Sequence, residues 1–93
     1  MGTIAKYTKQ PVEVLDYPFD FTSFLQEAND VAVSHTVTAS AGINVESSTL
    51  ARGVVRAMVS GGETGRTYKI SATVTTGGGR VKQLDIRLKV KEI

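Results

Sequence analysis

Strict alternation of aliphatic and charged positions marks the C-terminal part of the chain. The aliphatic positions are Leu84, Ile86, Leu88 and Val90, and polar or charged residues separate them. Because successive side chains of a β-strand point to opposite faces, this period of two predicts a strand with one buried and one exposed face. Residues 68–76 alternate in the same way, and the glycines at positions 77–79 allow a tight turn between the two segments. The two segments are therefore predicted to form an antiparallel hairpin.

Shorter segments with β character precede this hairpin. They span residues 12–20, 31–38, 43–47 and 54–60. Pro18 lies in the first segment and favours an edge strand or a bulge, because proline cannot donate to a ladder. In the second segment, alternation assigns one face to Val31, Val33, His35 and Val37. Short strands separated by Gly- and Ser-containing turns are typical of an all-β protein, and they predict an antiparallel β-sandwich of six to seven strands.

Only residues 22–29 have a helical pattern. Phe24, Leu25 and Ala28 form an apolar face there, and Thr22 is a candidate cap. A helix of this length is not stable without tertiary contacts, so we expect one short helical turn that crosses an end of the structure.

The N-terminal segment differs from the remainder of the chain. Residues 1–11 are polar and basic and contain few core candidates, which suggests a boundary between this segment and a β-sandwich domain at 12–93. Two interpretations remain open. The segment is either a frayed terminus or an extended arm that orders on a neighbouring protein, with Ile4 and Tyr7 as its anchors.

Length and composition exclude several classes of protein. The chain has 93 residues and no cysteine, so it fits one domain without disulfides or thiolate metal sites. Its net charge of +2 is mild. No apolar run approaches the roughly 20 residues that span a bilayer, so we expect no membrane partner. Basic residues cluster near the C-terminus without aromatic platforms for bases, which favours an acidic protein partner over a nucleic acid.

The sequence contains no recognisable catalytic constellation. His35 is the single histidine, lies between valines, and is interpreted as a half-buried structural residue. Asp16 and Asp20 are too far apart along a strand for a glycosidase pair, and Asp20 fits a turn or cap role beside Thr22. The glycine-rich loop at 60–65 precedes a predicted strand and lacks the lysine of a P-loop. We therefore expect a non-enzymatic protein with no cofactor and no metal.

Several segments together resemble the fiber–tail adaptor proteins of tailed bacteriophages. They are Val14-Leu15-Asp16-Tyr17, Phe19-Asp20-Phe21 with Ser23 and Leu25, Ala41-Gly42-Ile43, Ser60-Gly61-Gly62 with Gly65 and Tyr68, Thr75-Thr76 and Gly78-Gly79-Arg80, followed by the alternating terminal strand. The resemblance covers roughly residues 12–91. It implies an immunoglobulin-like fold and a virion protein that joins tail or neck components to fibers and is assembled in the bacterial cytoplasm. The position of Tyr68 resembles a tyrosine corner, in which the hydroxyl bonds nearby backbone.

We expect such an adaptor to bind other virion proteins and to form a homo-oligomeric ring in the particle. The candidate partner-binding residues are Ile4, Lys6, Tyr7, Lys9, Arg87 and Lys89. Two alternatives remain open at this point. One is a capsid decoration or head–tail connector protein, and the other is a carbohydrate-binding module that uses Tyr7, Tyr17 and Phe24 as surface aromatics.

Overall fold

The computed structural model contains seven β-strands and one short helix. The structure describes the backbone of residues 3–92 and the side chains of residues 5–92. The elements are β1 (Thr3–Lys9), β2 (Leu15–Asp20), α1 (Thr22–Glu27), β3 (Ala32–Ala39), β4 (Ile43–Ala51), β5 (Val54–Gly61), β6 (Thr67–Thr76) and β7 (Val81–Val90). Within residues 3–92, no helix has the length and apolarity that a membrane crossing needs.

The strands form two sheets that pack face to face, which confirms the predicted β-sandwich. One sheet has four strands in the order β1–β7–β6–β3, and the other has three in the order β2–β5–β4. Immunoglobulin-like sandwiches likewise place the second, fifth and fourth strands in one sheet and the third, sixth and seventh in the other. The strand order therefore confirms the fold that the family resemblance implied.

Aliphatic and aromatic side chains from the inner faces of both sheets fill the core. The buried hydrophobic residues are Tyr17, Phe19, Phe21, Leu25, Ile43, Val55, Ala57, Val59, Tyr68, Ile70, Ala72, Val74, Ile86, Leu88 and Val90. The alternation predicted for the last two strands is confirmed, because each inward position of β6 and the aliphatic positions of β7 from Ile86 onward are buried. The hairpin between them closes as expected, with Gly79 at a φ of 86°.

The N-terminal segment is part of the sandwich in cis. Residues 3–9 form β1, which pairs in parallel with β7, with Lys6 opposite Arg87 and Lys9 opposite Val90. The expectation of an arm at residues 1–11, apart from the domain, does not describe these residues. Their polarity misled the prediction because β1 is an edge strand with only one neighbour, and its described inward side chains are Ala5, Tyr7 and Lys9. This parallel pair also departs from the purely antiparallel sandwich that was expected.

Two predicted strand boundaries were wrong. The segment from residue 12 becomes a strand only at Leu15, and Val12 and Val14 lie exposed in the connection from β1. This connection is held as a turn, because the backbone N–H of Gln10 donates to the Glu13 carboxylate over 2.7 Å. At the other boundary, β4 continues to Ala51, well beyond the predicted end at residue 47.

The predicted inner face of β3 is only partly correct. A register shift between Ala32 and Ser34 interrupts the pairing of β3 with β6. A bulge inserts one unpaired residue, so the alternation changes phase there. Val31 and Val33 are consequently exposed, whereas His35 and Val37 remain half-buried at the edge of the core.

The helix α1 covers one end of the sandwich, as expected, and buries Leu25. Its N-cap is Phe21, so the expectation that Thr22 is the cap was wrong. Instead, Thr22 donates from its backbone N–H and its hydroxyl to Asp20, over 2.9 and 2.7 Å. This confirms the turn role that was predicted for Asp20.

Candidate docking surface

The outer face of the four-stranded sheet brings together basic side chains from three adjacent strands. Arg87 of β7 lies opposite Lys6 of β1 on one side and opposite Lys69 of β6 on the other. In the next row, Lys89 lies between Thr8 and Thr67. Neighbouring strands are about 4.8 Å apart, so the first row carries three positive charges across roughly 10 Å. We call Lys6, Lys69, Arg87 and Lys89 the cationic face.

None of these four side chains forms an ion pair with a described residue. The salt bridges within the described chain are Arg56–Asp16 at 3.3 Å, Arg66–Glu63 at 3.1 Å and Arg80–Asp30 at 3.2 Å. All three involve other cations. Among the described residues, no carboxylate lies within salt-bridge distance of the cationic face, which favours attraction of a partner of opposite charge.

A shallow hollow of about 330 Å³ lies on this surface. Its lining residues are Lys6, Tyr7, Thr8, Thr67, Arg87 and Lys89. Four of the six candidate partner-binding residues thus share one surface. The side chain of a fifth candidate, Ile4, lies outside the described residues. Sequence reasoning missed Lys69, although it lies on the charged side of the alternation in residues 68–76, because only the strand register places it beside Arg87.

Lys9 does not belong to the cationic face, and its inclusion among the surface candidates needs correction. Its side chain is 1% exposed, and the ammonium donates to the carbonyls of Gln10, Pro11 and Gly61 over 2.8, 3.3 and 2.7 Å. Burial lowers the pKa of the ammonium, and the nearby Glu13 carboxylate opposes that effect. Lys9 therefore links the end of β1 to the end of β5. Ala5, Tyr7 and Lys9 face inward, and that alternation was the available signal.

Tyr7 packs within its own chain. Its ring lies 4.9 Å from the ring of Tyr17, with an angle of 48° between the planes. The pair joins β1 of one sheet to β2 of the other along one edge of the sandwich. Tyr7 thus anchors the N-terminal strand onto its own domain and contributes only part of its surface to the hollow.

One carboxylate, Asp85, lies on β7 beside the cationic face but is 6% exposed. The amide of Gln83 donates to it over 2.9 Å. Burial alone would raise its pKa, but hydrogen bonds from Gln83 and Ser71 and the charge of Lys69 outweigh burial and lower the pKa. Asp85 therefore stays ionised at neutral pH and is engaged within the sheet, rather than presented to a partner.

Two further polar side chains, those of His35 and Asp30, have structural contacts. His35 is half-buried, as predicted, and its Nε2 lies 3.0 Å from the Ser48 hydroxyl, which connects β3 to β4. Asp30 accepts from the backbone of Val31 and from Arg80.

The aromatic side chains proposed for carbohydrate binding are also engaged. Tyr17 is buried, Tyr7 packs on it, and Phe24 lies under the Arg80 guanidinium, 4.1 Å from the ring centroid. They therefore form no exposed platform of the kind that sugar rings stack on.

The glycine-rich loop before β6 forms the expected tyrosine corner. The Tyr68 hydroxyl accepts a hydrogen bond from the backbone N–H of Glu63 over 2.9 Å.

A family model described as Podophage GP4 fiber-tail adaptor protein gp77 matches residues 9–89, which is most of the chain and includes this corner. The chain belongs to this fiber–tail adaptor family. No curated protein matches it.

Membership settles the class of function. The adaptor is a structural component of the phage virion that connects fibers to the tail, and it is not an enzyme. It therefore contacts fiber and tail proteins. This assignment replaces the alternative roles that the sequence left open, which were capsid decoration, head–tail connection and carbohydrate binding.

Proposed function

We propose that the adaptor docks through its cationic face onto an acidic surface of a tail or fiber subunit. The observation that carries the proposal is the row of Lys6, Arg87 and Lys69 on three adjacent strands, without a carboxylate partner among the described residues. The strand register fixes the backbone positions of these residues, so the row presents its charges in a defined order. Complementary charge of this kind accelerates association and selects the partner and its orientation.

We further propose that copies of the adaptor are arranged as a ring around the tail. Fibers that repeat around a tail need one attachment point each, and a small adaptor provides it when its copies are related by the same rotation. In such a ring the cationic face would have the same orientation in every copy. Symmetry-averaged cryo-electron microscopy of particles tests the ring, and copies without a common rotation axis would exclude it.

The docking proposal is tested by reversing charge on the cationic face. Adaptor-deficient particles would be incubated with the Arg87→Glu/Lys89→Glu variant, and bound adaptor would be quantified by mass spectrometry. The matched control is Arg56→Glu/Arg66→Glu, which changes net charge equally at exposed positions elsewhere. We expect binding of the first variant to fall by at least about tenfold, since each 1.4 kcal/mol corresponds to a factor of ten.

The control should bind like the wild type, and wild-type binding should weaken as salt concentration rises, because exposed charges are screened. Thermal melts followed by circular dichroism would show that both variants fold. Equal binding of the two folded variants would refute docking through the cationic face.

A further inference from the structure

The four edge strands of the sandwich differ in how they are protected against pairing with another chain. Free N–H and C=O groups on an edge can add a foreign strand, and prolines, charges and bulges prevent this. In β2, the N–H of Phe21 donates to Gly53, so the alternate residues Asp16, Pro18 and Asp20 turn their backbone toward the free edge. A proline between two carboxylates blocks that edge.

The β1 and β4 edges carry other protective features. In β1, the carbonyl of Lys9 accepts from the N–H of Lys91, directly after β7, so the alternate residues Lys6 and Thr8 direct their backbone outward. The charged side chain of Lys6 lies on this strand and protects its edge. In β4, a register shift between Val45 and Ser47 places Glu46 in a bulge and limits the regular ladder beyond it to residues 47–51.

The β3 edge also has a bulge, at Val33, but neither a charged residue nor a proline accompanies it. From Ser34 to Ala39 the pairing with β6 is regular, and the segment contains no charged residue, proline or glycine. The Ser40 N–H donates to the Lys69 carbonyl over 3.0 Å. Because alternate residues of an edge strand bond its neighbour, the backbone groups of His35, Val37 and Ala39 point to the free edge.

We infer that β3 accepts an extended segment of another virion protein and extends the four-stranded sheet by one strand. The fitting segment is uncharged and alternates in character. Its inward side chains are small and aliphatic, to pack beside the half-buried Val37 and Ala39. Its outward side chains are Thr-like, to pair with the exposed Thr36 and Thr38. Main-chain hydrogen bonds supply affinity, and the alternate side chains supply specificity.

The position of β3 favours a partner other than a second copy of the adaptor. Antiparallel pairing of two β3 strands would place Thr36 opposite Thr38 and impose a two-fold axis, which a ring of copies around one rotation axis does not repeat. In addition, β3 and β1 are the opposite edges of the sheet, three strand spacings or about 14 Å apart. Lys69, the member of the cationic face nearest to β3, lies on the neighbouring strand β6, but its exposed side chain stands on the face of the sheet, whereas the free backbone groups of β3 point along the plane of the sheet. Two different proteins can therefore bind the β3 edge and the cationic face at once, as an adaptor requires.

The inference rests on the adaptor role and on the proposed docking through the cationic face, and it is tested at a different position. Ala39→Pro removes one N–H that points to the free edge and leaves the ladder to β6 intact, whereas Ala39→Ser retains the N–H and is the matched control. Particles assembled with each variant would be assayed for adaptor and fiber content by quantitative mass spectrometry. We expect the proline variant to lose adaptor or fibers by about tenfold relative to the serine variant.

A second variant and a structural readout keep the test decisive. If Ala39→Pro fails to fold, Thr36→Lys/Thr38→Lys places charges along the same edge, with Thr75→Lys as a control on the same face, one strand in from the edge. Cryo-electron microscopy of wild-type particles should show a strand of a different chain beside β3. Full fiber and adaptor content with folded edge variants, a solvent-exposed β3, or a second copy paired there would overturn the inference. A failure of the Arg87→Glu/Lys89→Glu test alone would remove docking through the cationic face and leave the strand beside β3 to be judged by the particle structure.

Discussion

The hydroxyl of Tyr68 accepts a hydrogen bond from the backbone N–H of Glu63 and holds the loop between β5 and β6 over the end of the core. The ring itself is buried, at 5% exposure. Because the loop residue Gly62 packs against both Tyr68 and Val90, the same contact fixes the loop against the end of β7. This end of β7 carries Lys89, so the tyrosine corner also supports the cationic face.

Removing the Tyr68 hydroxyl should destabilise the adaptor. In Tyr68→Phe the Glu63 N–H loses its acceptor, and a typical hydrogen bond contributes about 1 kcal/mol to the free energy of unfolding. Urea unfolding followed by circular dichroism measures this change. A variant as stable as the wild type would show that the hydrogen bond makes no net contribution.

The same substitution at Tyr17 should not destabilise the adaptor. The Tyr17 hydroxyl is buried and has no hydrogen-bond partner among the described residues. An unsatisfied buried polar group costs about 1–3 kcal/mol, so Tyr17→Phe should leave stability unchanged or raise it by up to about 1 kcal/mol. The pair of variants removes one hydroxyl each from a buried ring, and equal losses of stability in both would contradict the assignment of their roles.

Alkaline pH provides a second test of Tyr17. Burial, followed by the charges of Glu13, Tyr7 and Asp16, raises its pKa from 10.0 to about 12. A raised pKa means that the folded chain binds the proton more tightly than the unfolded chain. The contribution of Tyr17 to stability is therefore fully present below pH 10 and is lost as pH rises toward 12. Urea midpoints between these values should fall less steeply in Tyr17→Phe than in the wild type, and parallel curves would refute the shift.

A side chain at Gly62 should destabilise the corner. Gly62 has a φ of 93°, and an added Cβ would lie 2.6 Å from a Val90 methyl group. Gly65 has a similar φ of 88° but nothing within 4 Å of the added atom. Gly65→Ala therefore measures backbone strain alone, of about 1–2 kcal/mol, and Gly62→Ala should lose at least about 1 kcal/mol more because overpacking adds to that strain. Equal losses in urea unfolding would show that the Val90 contact relaxes freely.

Replacing the buried ammonium of Lys9 should be costly. Lys9→Met keeps the apolar stem but leaves the three carbonyls that accept from Lys9 without this donor. We expect a loss of about 2 kcal/mol in the free energy of unfolding, since hydrogen bonds to charged groups contribute about 1.5–3 kcal/mol. The exposed neighbour Lys6 supplies the control, because Lys6→Met should change stability by less than about 0.5 kcal/mol. Similar effects of the two variants would exclude the structural role of Lys9.

Strands that pack on one face were predictable from the sequence. In β6 and β7 the inward side chains pack in the core, so the alternation of apolar and polar residues is enough to predict both strands. The same holds for Val55, Ala57 and Val59 of β5, which are all buried. Turn chemistry added the hairpin at residues 77–79 and the corner at Tyr68. These features depend on local pattern, and they are also the parts that carried the family resemblance.

Edge strands and long-range register were not predictable in the same way. The strand β1 is stabilised by pairing with β7 at the far end of the chain. It buries Lys9, whose ammonium donates to backbone carbonyls. Its sequence therefore looks polar and unstructured. The bulge in β3 changes the phase of the alternation at Val33, and the sequence has no proline or glycine there that would predict a bulge. The cationic face needs the register of three strands. The register of the β6–β7 hairpin places Lys69 beside Arg87, and the pairing of the sequence-distant strand β1 with β7 adds Lys6.

The buried carboxylate of Asp85 should make the adaptor sensitive to acid. Hydrogen bonds from Gln83 and Ser71 and the charge of Lys69 outweigh the opposing effect of burial and lower its pKa below 3.8. A lowered pKa means that the unfolded chain binds the proton more tightly, so this contribution is present above about pH 4 and is lost as pH falls. Asp85→Asn should therefore be less stable than the wild type at pH 7, and the difference should shrink as pH falls below about 4. Urea unfolding from pH 7 to 3 measures both curves, with Asp16→Asn as an exposed control that should change little. A constant difference between Asp85→Asn and the wild type across that range would show that the Asp85 charge does not stabilise the fold.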